Sequence, residues 1–519
     1  MKVIERNIGF FIIIGCASIL FLLNQKTTNR NSSKLDLFIE YIQANYVDSV
    51  DIEDIIENTI YNTLMNLDPH SNYITMNEAT STMAELDGKF EGVGIEFAIY
   101  RDTITVVNVV DGGPSKKRGI MPGDRIVLID DSLVAGVGIE NQDVISLLRG
   151  ERGSSVEISL VSRSQPNIRR IKITRDKIPF NSLDLAYEIA PRVGFIKLNR
   201  FSANTYTEFK KELKKLQINH DIDKLILDLR GNNGGYLDQS IKLLNEFFES
   251  NKLLVYTKGN ARPEQHYMSN SSGSFKKGEL VVLIDEGSAS ASEIVAGAIQ
   301  DHDRGILVGE RTFGKGLVQE QIPFEDGSLL RLTVSRYYTP SGRCIQKPYG
   351  ESHQDYLSEI YLRNNIDSVS EKDDTSFSTS LGRTVYGGGG ITPDSIVSNV
   401  DEDFSQVLIH LYTSDFFDNL IFDFVDINRQ SLSQTSSSNI FRITNQQKSS
   451  LLSEIDQWII SEAASNPSWL FNIDTFTLSH AAIIKRIQAL VIRQHWGWSE
   501  MQKFLNQSDK VVLTSLSLL

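Results

Sequence analysis

Apolar positions first recur with helical spacing. Leu35, Phe38, Ile39 and Ile42 fall at i, i+3, i+4 and i+7, and Ile56, Ile60, Leu64 and Leu67 form a second stripe. Asp68-Pro69-His70-Ser71 breaks that pattern, so residues 34–88 read as a small helical module. From 89 to 178 the pattern shortens to strands and turns. Phe90-Glu91-Gly92-Val93-Gly94-Ile95-Glu96-Phe97 is a glycine turn running into a strand, and Thr103–Val107 alternates. A helix around Gln142–Leu148 and a strand at Val156–Val161 follow. From 179 to 398 strands and helices take turns: Gly194–Leu198, then the helix Thr205–Leu216, then Lys224–Leu229, then a helix from Leu237 to Phe248, then Leu280–Ile284. That alternation predicts α/β layers around one sheet. A polar stretch at about 350–383 reads as a surface insertion, and Gly387–Gly390 as a turn. From 401 to 519 the pattern is mostly helical, with Ile483, Ile487, Leu490 and Val491 in one stripe and Ser431–Ser438 as a linker. The expectation is a multidomain α+β chain.

The N-terminus departs from all of this. Lys2 and Arg6 precede an apolar run from Ile8 to Leu23, followed by polar residues to Arg30. The run is slightly short of the roughly 20 residues of a comfortable membrane span, yet fits a signal-anchor or signal segment over 1–30. An uncleaved anchor, with the rest of the chain exported to the periplasmic side of a bacterial envelope, is the favoured reading. Ile13-Ile14-Gly15-Cys16 also resembles a lipoprotein cleavage box, so lipidation at Cys16 is the second reading. Cys344 is the other cysteine, which excludes a disulfide framework. At 519 residues and a formal net charge of -14, the chain lacks the basic footprint of a nucleic-acid binder. Protein, peptide and small-molecule partners stay open.

Candidate chemistry begins at Gly287-Ser288-Ala289-Ser290-Ala291-Ser292-Glu293, between the apolar run Leu280–Ile284 and the helical Ile294–Ile299. A serine at a strand-to-helix turn can be held beside backbone N–H groups that bind an oxyanion. Ser290 and Glu293 also make a capping box, and on this heptapeptide alone the cap is the better reading. Downstream, Lys315 sits between Gly314 and Gly316 after the apolar Ile306-Leu307-Val308. An unprotonated lysine serves as a base for a serine once burial lowers its pKa. The competing base is His302, too far along the helix that Ser290 opens to face its hydroxyl. None of the eight histidines forms a His-x-x-x-His pair, and His70 is read as structural.

Two resemblances follow. Residues 89–178 resemble a PDZ domain, most clearly in Pro114-Ser115, Gly119-Ile120 and Pro122-Gly123-Asp124-Arg125-Ile126. Such domains add a peptide to a sheet edge and capture its C-terminal carboxylate on glycine-loop N–H groups, a role that would fall on Gly92, Val93, Gly94 and Ile95. The two motifs 287–293 and 309–319, with Asp228-Leu229-Arg230-Gly231-Asn232-Asn233-Gly234-Gly235, closely resemble the C-terminal processing peptidases, or tail-specific proteases. That resemblance covers about Leu35 to Asp394. It implies a serine endopeptidase with a crotonase-like α/β core, Ser290 as nucleophile, Lys315 as general base, Gln319 assisting it, and an oxyanion hole from the Gly235 and Ala291 N–H groups. It implies no cofactor or metal, and protein or peptide substrates with free C-termini. It leaves an adaptor protein and a homo-oligomer open. Glu310-Arg311 stands where other members often have Glu-Pro, which is not read as a catalytic change. The rival readings are a silent PDZ scaffold that binds C-termini without cutting, which the intact Ser290, Lys315 and Gln319 argue against, and a small-molecule acyl-transfer enzyme or hydrolase, which no cofactor motif supports.

Overall fold

The computed structural model describes residues 32–110, 112–162, 165–349, 353–362, 376–398, 406–435, 438, 441–466 and 473–519. The apolar stretch Ile8–Leu23 with Cys16, and so the anchor and lipoprotein readings, lies outside these residues. No helix among the described residues is long and apolar enough to cross a membrane. The chain forms two compact units, Met1–Thr75 with Gln321–Leu332, and Met76–Glu320 with Thr333–Leu519.

In the first unit, α1 (Ser32–Asn45) and α2 (Ile52–Met65) carry the two apolar stripes. Asp51 caps α2 by accepting the Glu53 N–H at 2.9 Å. The helix break works through Asp68, whose carboxylate accepts the His70 and Ser71 N–H groups, each at 2.8 Å. The turn leads into a short strand that the helical pattern hid, β1 (Asn72–Ile74), which pairs antiparallel with residues 329–331. Leu35 and Phe38 are exposed.

The second unit opens with α3 (Met76–Asp87). Next, β2 (Lys89–Gly92) pairs antiparallel with β9 (Asp176–Pro179), so the chain enters and leaves the following β-module as one ribbon. The module itself holds β3 (Ile95–Ile99), β4 (Ile104–Val109), α4 (Pro114–Lys117), β5 (Arg125–Ile129), β6 (Ser132–Leu133), α5 (Asn141–Leu148), β7 (Ser155–Ser162) and β8 (Gln165–Thr174). Its sheet runs β3-β4-β5-β7-β8, with β6 on β5, which leaves β3 at an edge. Ile104, Ile126, Ile158 and Val144 fill its core.

The α/β core follows: β10 (Leu183–Ala190), β11 (Val193–Leu198), α6 (Thr205–His220), β12 (Lys224–Asp228), α7 (Leu237–Leu244), β13 (Leu253–Lys258), β14 (Gln265–Met268), β15 (Glu279–Ile284), α8 (Ala291–Asp301) and β16 (Ile306–Gly309). Next come β17 (Leu317–Pro323), β18 (Leu329–Tyr338), α9 (His353–Leu362), β19 (Ser376–Ser378), β20 (Thr384–Tyr386) and β21 (Ser395–Ile396). The main sheet has the order β10-β11-β12-β15-β16-β21, with β10 antiparallel and the rest parallel. Ile196, Leu225, Leu227, Val282 and Ile284 face α6, α7 and α8, while Phe195, Ile226, Val281, Leu283 and Val308 face the other way. Burial on both faces explains why these strands read as unbroken apolar runs. The described part of the polar insertion holds α9 and β19, which forms a hairpin with β20 just beyond it, and Arg383 in that hairpin bonds Asp303 at 2.6 Å.

The C-terminal region is helical: α10 (Gln406–Tyr412), α11 (Asp415–Gln434), α12 (Asn445–Ser465), α13 (Ile473–Leu478), α14 (His480–Trp496), α15 (Trp498–Asn506) and α16 (Lys510–Leu518). The linker expected at Ser431–Ser438 is a correction, because α11 continues to Gln434. Leu432 is buried in the bundle core, and the Ser431 and Ser433 hydroxyls bond back to the Asn428 and Arg429 carbonyls at 2.8 Å. Packing here overrides the weak helix propensity of serine. α16 covers the second face of the main sheet through Val511 and Val512.

Candidate active site

Ser290 stands between β15 and α8, as N-cap of that helix, with φ 56° and ψ −112°. A positive φ in a serine is strained backbone of the kind that clusters at functional sites. The neighbouring serines are committed elsewhere: Ser288 Oγ donates to the Leu229 carbonyl and Ser292 Oγ to the Asn232 carbonyl, each at 2.8 Å, and both residues are buried. Ser290 is half-buried. The capping box with Glu293 is formed, so the expected cap forms and still leaves Ser290 only half-buried.

The glycine motif after β12 packs on this turn. Gly234 has φ +98° and Gly235 φ +142°. A Cβ on Gly234 would lie 2.7 Å from both the Ala289 oxygen and Ser290 Cβ, and one on Gly235 would lie 2.2 Å from the Phe201 oxygen. Only glycine fits either place. Asn232 pins the two turns together: its carbonyl accepts the Ala289 N–H at 3.0 Å, and its buried side chain spans from the Leu198 carbonyl to the Gly234 N–H. Neither the Ala291 nor the Gly235 N–H finds a protein acceptor among the described residues. For Ala291 this is the ordinary condition of a first helical turn, and both groups are left able to receive an oxyanion.

Lys315 and Gln319 come together as expected: Lys315 Nζ donates to Gln319 Oε1 at 2.9 Å, and both are half-buried. What joins the serine and lysine turns is Glu293. Its carboxylate accepts the Ser290 N–H at 2.8 Å, the Lys315 N–H at 2.9 Å, the Gly314 N–H at 2.8 Å and the Thr312 hydroxyl at 2.6 Å. Burial pushes its pKa up, and those four donors pull against that rise. Sequence reasoning saw Glu293 only as a helix cap.

Tyr337 on β18, buried and unforeseen, spans the same two turns from the other side. Its hydroxyl lies 3.1 Å from the Ser290 carbonyl and 2.9 Å from the Lys315 carbonyl, and its N–H donates to Gly316 at 3.0 Å. An aromatic residue inside an alternating strand carries no sequence mark of such a role. His302, the competing base, ends α8 with Nε2 2.7 Å from the Leu253 carbonyl.

Beneath the glycine motif lies a buried ion network. Asp228 meets Arg230 at 2.8 Å and Lys197 at 3.3 Å, and Arg230 continues to Asp509, the N-cap of α16, at 2.8 Å. Burial opposes charge on Asp228, but the Lys197 ammonium and the Arg230 guanidinium outweigh it and hold the carboxyl at about 2.

In the β-module, the glycine loop lies between β2 and β3. Gly92 closes β2 and Ile95 opens β3. The Val93 carbonyl accepts both the Ser115 N–H (3.1 Å) and the Ser115 hydroxyl (2.7 Å), and Gly94 has φ +77° with its carbonyl bonded to the Val110 N–H at 3.1 Å. The Val93 and Gly94 N–H groups have no protein acceptor among the described residues.

The model of peptidase family S41 matches residues 192–353. The carboxy-terminal-processing protease of Bartonella bacilliformis is 33% identical over 403 residues, covering 72% of this chain and 92% of that protein. Among solved structures, the photosystem II D1 C-terminal processing protease is 26% identical, with a TM-score of 0.37, over 70% of this chain and 86% of that one. The PDZ domain of a carboxy-terminal protease from Vibrio cholerae, solved with a peptide, is 28% identical over 17% of this chain and 97% of its own, with a TM-score of 0.16.

Proposed function

The chain belongs to peptidase family S41 and is a serine protease, and from that premise we propose that it cuts proteins near their C-termini with Ser290 as nucleophile and Lys315 as general base. The observation that carries this reading is the single Glu293 carboxylate bonded to the backbone N–H of both residues. Ser290 Oγ attacks the peptide carbonyl as its proton passes to Lys315 Nζ. Gln319 orients that amine from 2.9 Å. The tetrahedral oxyanion lies on the Ala291 and Gly235 N–H groups, where loss of one donor typically costs about 10²–10³ in rate. Lys315 then gives its proton to the leaving amine, and water releases the acyl group.

We read 89–178 as the PDZ domain and 179–398 as a crotonase-like peptidase core. Support for the first is the open edge of β3 beside the unpaired Val93 and Gly94 N–H groups, a place for an added strand that ends in a carboxylate. Support for the second is the parallel sheet β11-β12-β15-β16-β21. The apolar segment Ile8–Leu23 supports a membrane tether in a bacterial cell envelope.

Ser290→Ala and Lys315→Ala are each expected to abolish cleavage of a peptide with a free apolar C-terminus while leaving the melting temperature unchanged. Cleavage at the wild-type rate by the lysine variant would remove the dyad.

A further inference from the structure

A cleft of about 360 Å³ opens on the β-module, and Ser290 is not part of its lining. Its wall includes Pro114, Lys117, Arg118, Arg152, Arg175 and Asp176, four cations against one carboxylate in a chain of net charge -14. The cations are poorly compensated. Arg152 pairs with Asp176 at 2.9 Å. The Arg175 guanidinium is spent on neutral acceptors, the Leu147 and Leu148 carbonyls and the Ser154 hydroxyl. Lys117 and Arg118 are exposed and form no ion pair among the described residues. A concave wall of one sign concentrates field and attracts counter-charge.

The cleft also touches the glycine loop. Pro114 packs on Gly94, where a Cβ would come within 3.5 Å of Pro114 Cδ. The next residue, Ser115, holds the Val93 carbonyl through its N–H and its hydroxyl. The Arg152 N–H is anchored to the Glu91 carboxylate at 2.8 Å. Anything drawing on Lys117 and Arg118 therefore pulls on the element that holds the loop.

We propose that this cleft binds an acidic polypeptide segment through its side-chain carboxylates and that its occupancy changes the affinity of the glycine loop for a C-terminal tail. The volume lies in the range of about 300–1,000 Å³ typical of ligand sites, more than one small anion fills, and several cationic side chains line it, as a multivalent chain requires. A tail added along β3 with its C-terminus at Val93–Gly94 runs away towards Ile99, so the acidic segment belongs to a second polypeptide. Coupling between the two sites is reciprocal by linkage and rests on the PDZ reading above.

The test uses the full chain and a fluorescein-labelled hexaglutamate peptide, read by anisotropy. Saturable binding is expected, weakened about tenfold or more by Lys117→Glu with Arg118→Glu and about fivefold by raising salt from about 50 to about 200 mM. Lys117→Gln with Arg118→Gln gives an intermediate loss, and the melting temperature reports whether either variant folds. Equal binding by a folded charge-reversed variant would overturn the site. So would displacement of hexaglutamate by an equimolar amount of inorganic phosphate, which would make it a small-anion site. A labelled peptide with an apolar free C-terminus is then titrated with and without saturating hexaglutamate. A change of threefold or more supports the coupling and an unchanged affinity overturns it. If that peptide fails to bind at all, the PDZ reading and the coupling fall together, while hexaglutamate binding still decides the cleft.

Discussion

Glu293→Gln is the sharpest perturbation of the candidate centre, because it keeps the side-chain volume and changes only what the two ends can accept. Each carboxylate oxygen now takes two donors, Oε2 from Ser290 and Lys315 and Oε1 from Gly314 and Thr312. An amide has one oxygen and one NH₂. With the oxygen towards Ser290 and Lys315, the NH₂ meets the Gly314 N–H head on, while the Thr312 hydroxyl can turn and accept. Reversed, the NH₂ meets two N–H groups. The first orientation wins and strands one buried donor, at about 1–3 kcal/mol. Part of that is returned, since burial has raised the Glu293 pKa and the ionised form is therefore a cost to the fold. With a folded-state value above the unfolded 4.5, that cost is absent below 4.5 and grows as pH rises towards the folded value. The variant should therefore be more destabilised relative to wild type at pH 4 than at pH 7. Catalysis suffers more than stability. Displacing the Gly314–Lys315 turn by about 1 Å from Ser290 is worth about 10² in rate, so kcat should fall by about 10–100-fold with KM little changed. Steady-state cleavage of a fluorogenic peptide, with melts at both pH values, measures both effects. A kcat within twofold of wild type would refute the idea that Glu293 sets the geometry of the two turns.

Tyr337→Phe removes the hydroxyl shared by the Ser290 and Lys315 carbonyls. It should cost about 1 kcal/mol of stability and lower kcat about tenfold, equivalent to about 1.4 kcal/mol of barrier, with KM unchanged in steady-state kinetics. Asp509→Ala removes a partner of the nearly buried Arg230 and the cap of α16, whose Val511 and Val512 N–H groups it accepts. The expected loss is about 2–4 kcal/mol in urea unfolding, and Asp509→Asn, which keeps the cap, should lose less. Asp228 predicts an acid limb. Its depressed pKa of about 2, against 3.8 unfolded, contributes about 2 kcal/mol that is present above pH 4 and lost as pH falls to 2. Urea titrations across that range should show the loss.

The central strands β11, β12, β15 and β16 and the helices between them were legible because burial on both faces writes an unbroken apolar run, as in Leu280–Ile284, whereas the edge strands β10 and β21 were not foreseen. The candidate serine, lysine and glutamine were named because the short motifs that hold them resemble those of the family. What escaped was set by packing at long range. Tyr337 reaches the serine turn from a strand 47 residues later, and nothing in Arg336-Tyr337-Tyr338 marks one tyrosine over the other. The strand at Asn72–Ile74 was hidden because its pairing partner lies more than 250 residues away, at 329–331. Ser431–Ser438 reads as a linker by composition, yet as far as Gln434 it folds as helix because Leu432 has a core to enter.

That same long-range packing gives the C-terminal region a place in the enzyme that its sequence did not reveal. At one end, α11 grips the β-module. Tyr100 stacks on Phe422 at 4.4 Å, Arg125 pairs with the buried Asp426 at 2.9 Å, and Arg429 donates to the Pro122 carbonyl at 2.9 Å. At the other end, Asp509 holds Arg230, four residues ahead of the glycines that pack on Ser290, and Val511 and Val512 seal the sheet that carries both turns. One helical region thus contacts the β-module and the base of the candidate oxyanion site. The ion network carries the more exacting part of that link, because Arg230 is nearly buried and its charge must be answered from both sides, by Asp228 within the motif and by Asp509 from outside it. A chain ending before α16 would leave Phe195, Ile226, Val281 and Leu283 uncovered and Arg230 half-answered. The sheet that carries both turns is therefore sealed only with α16 in place, and the helical region that ends in it also contacts the β-module.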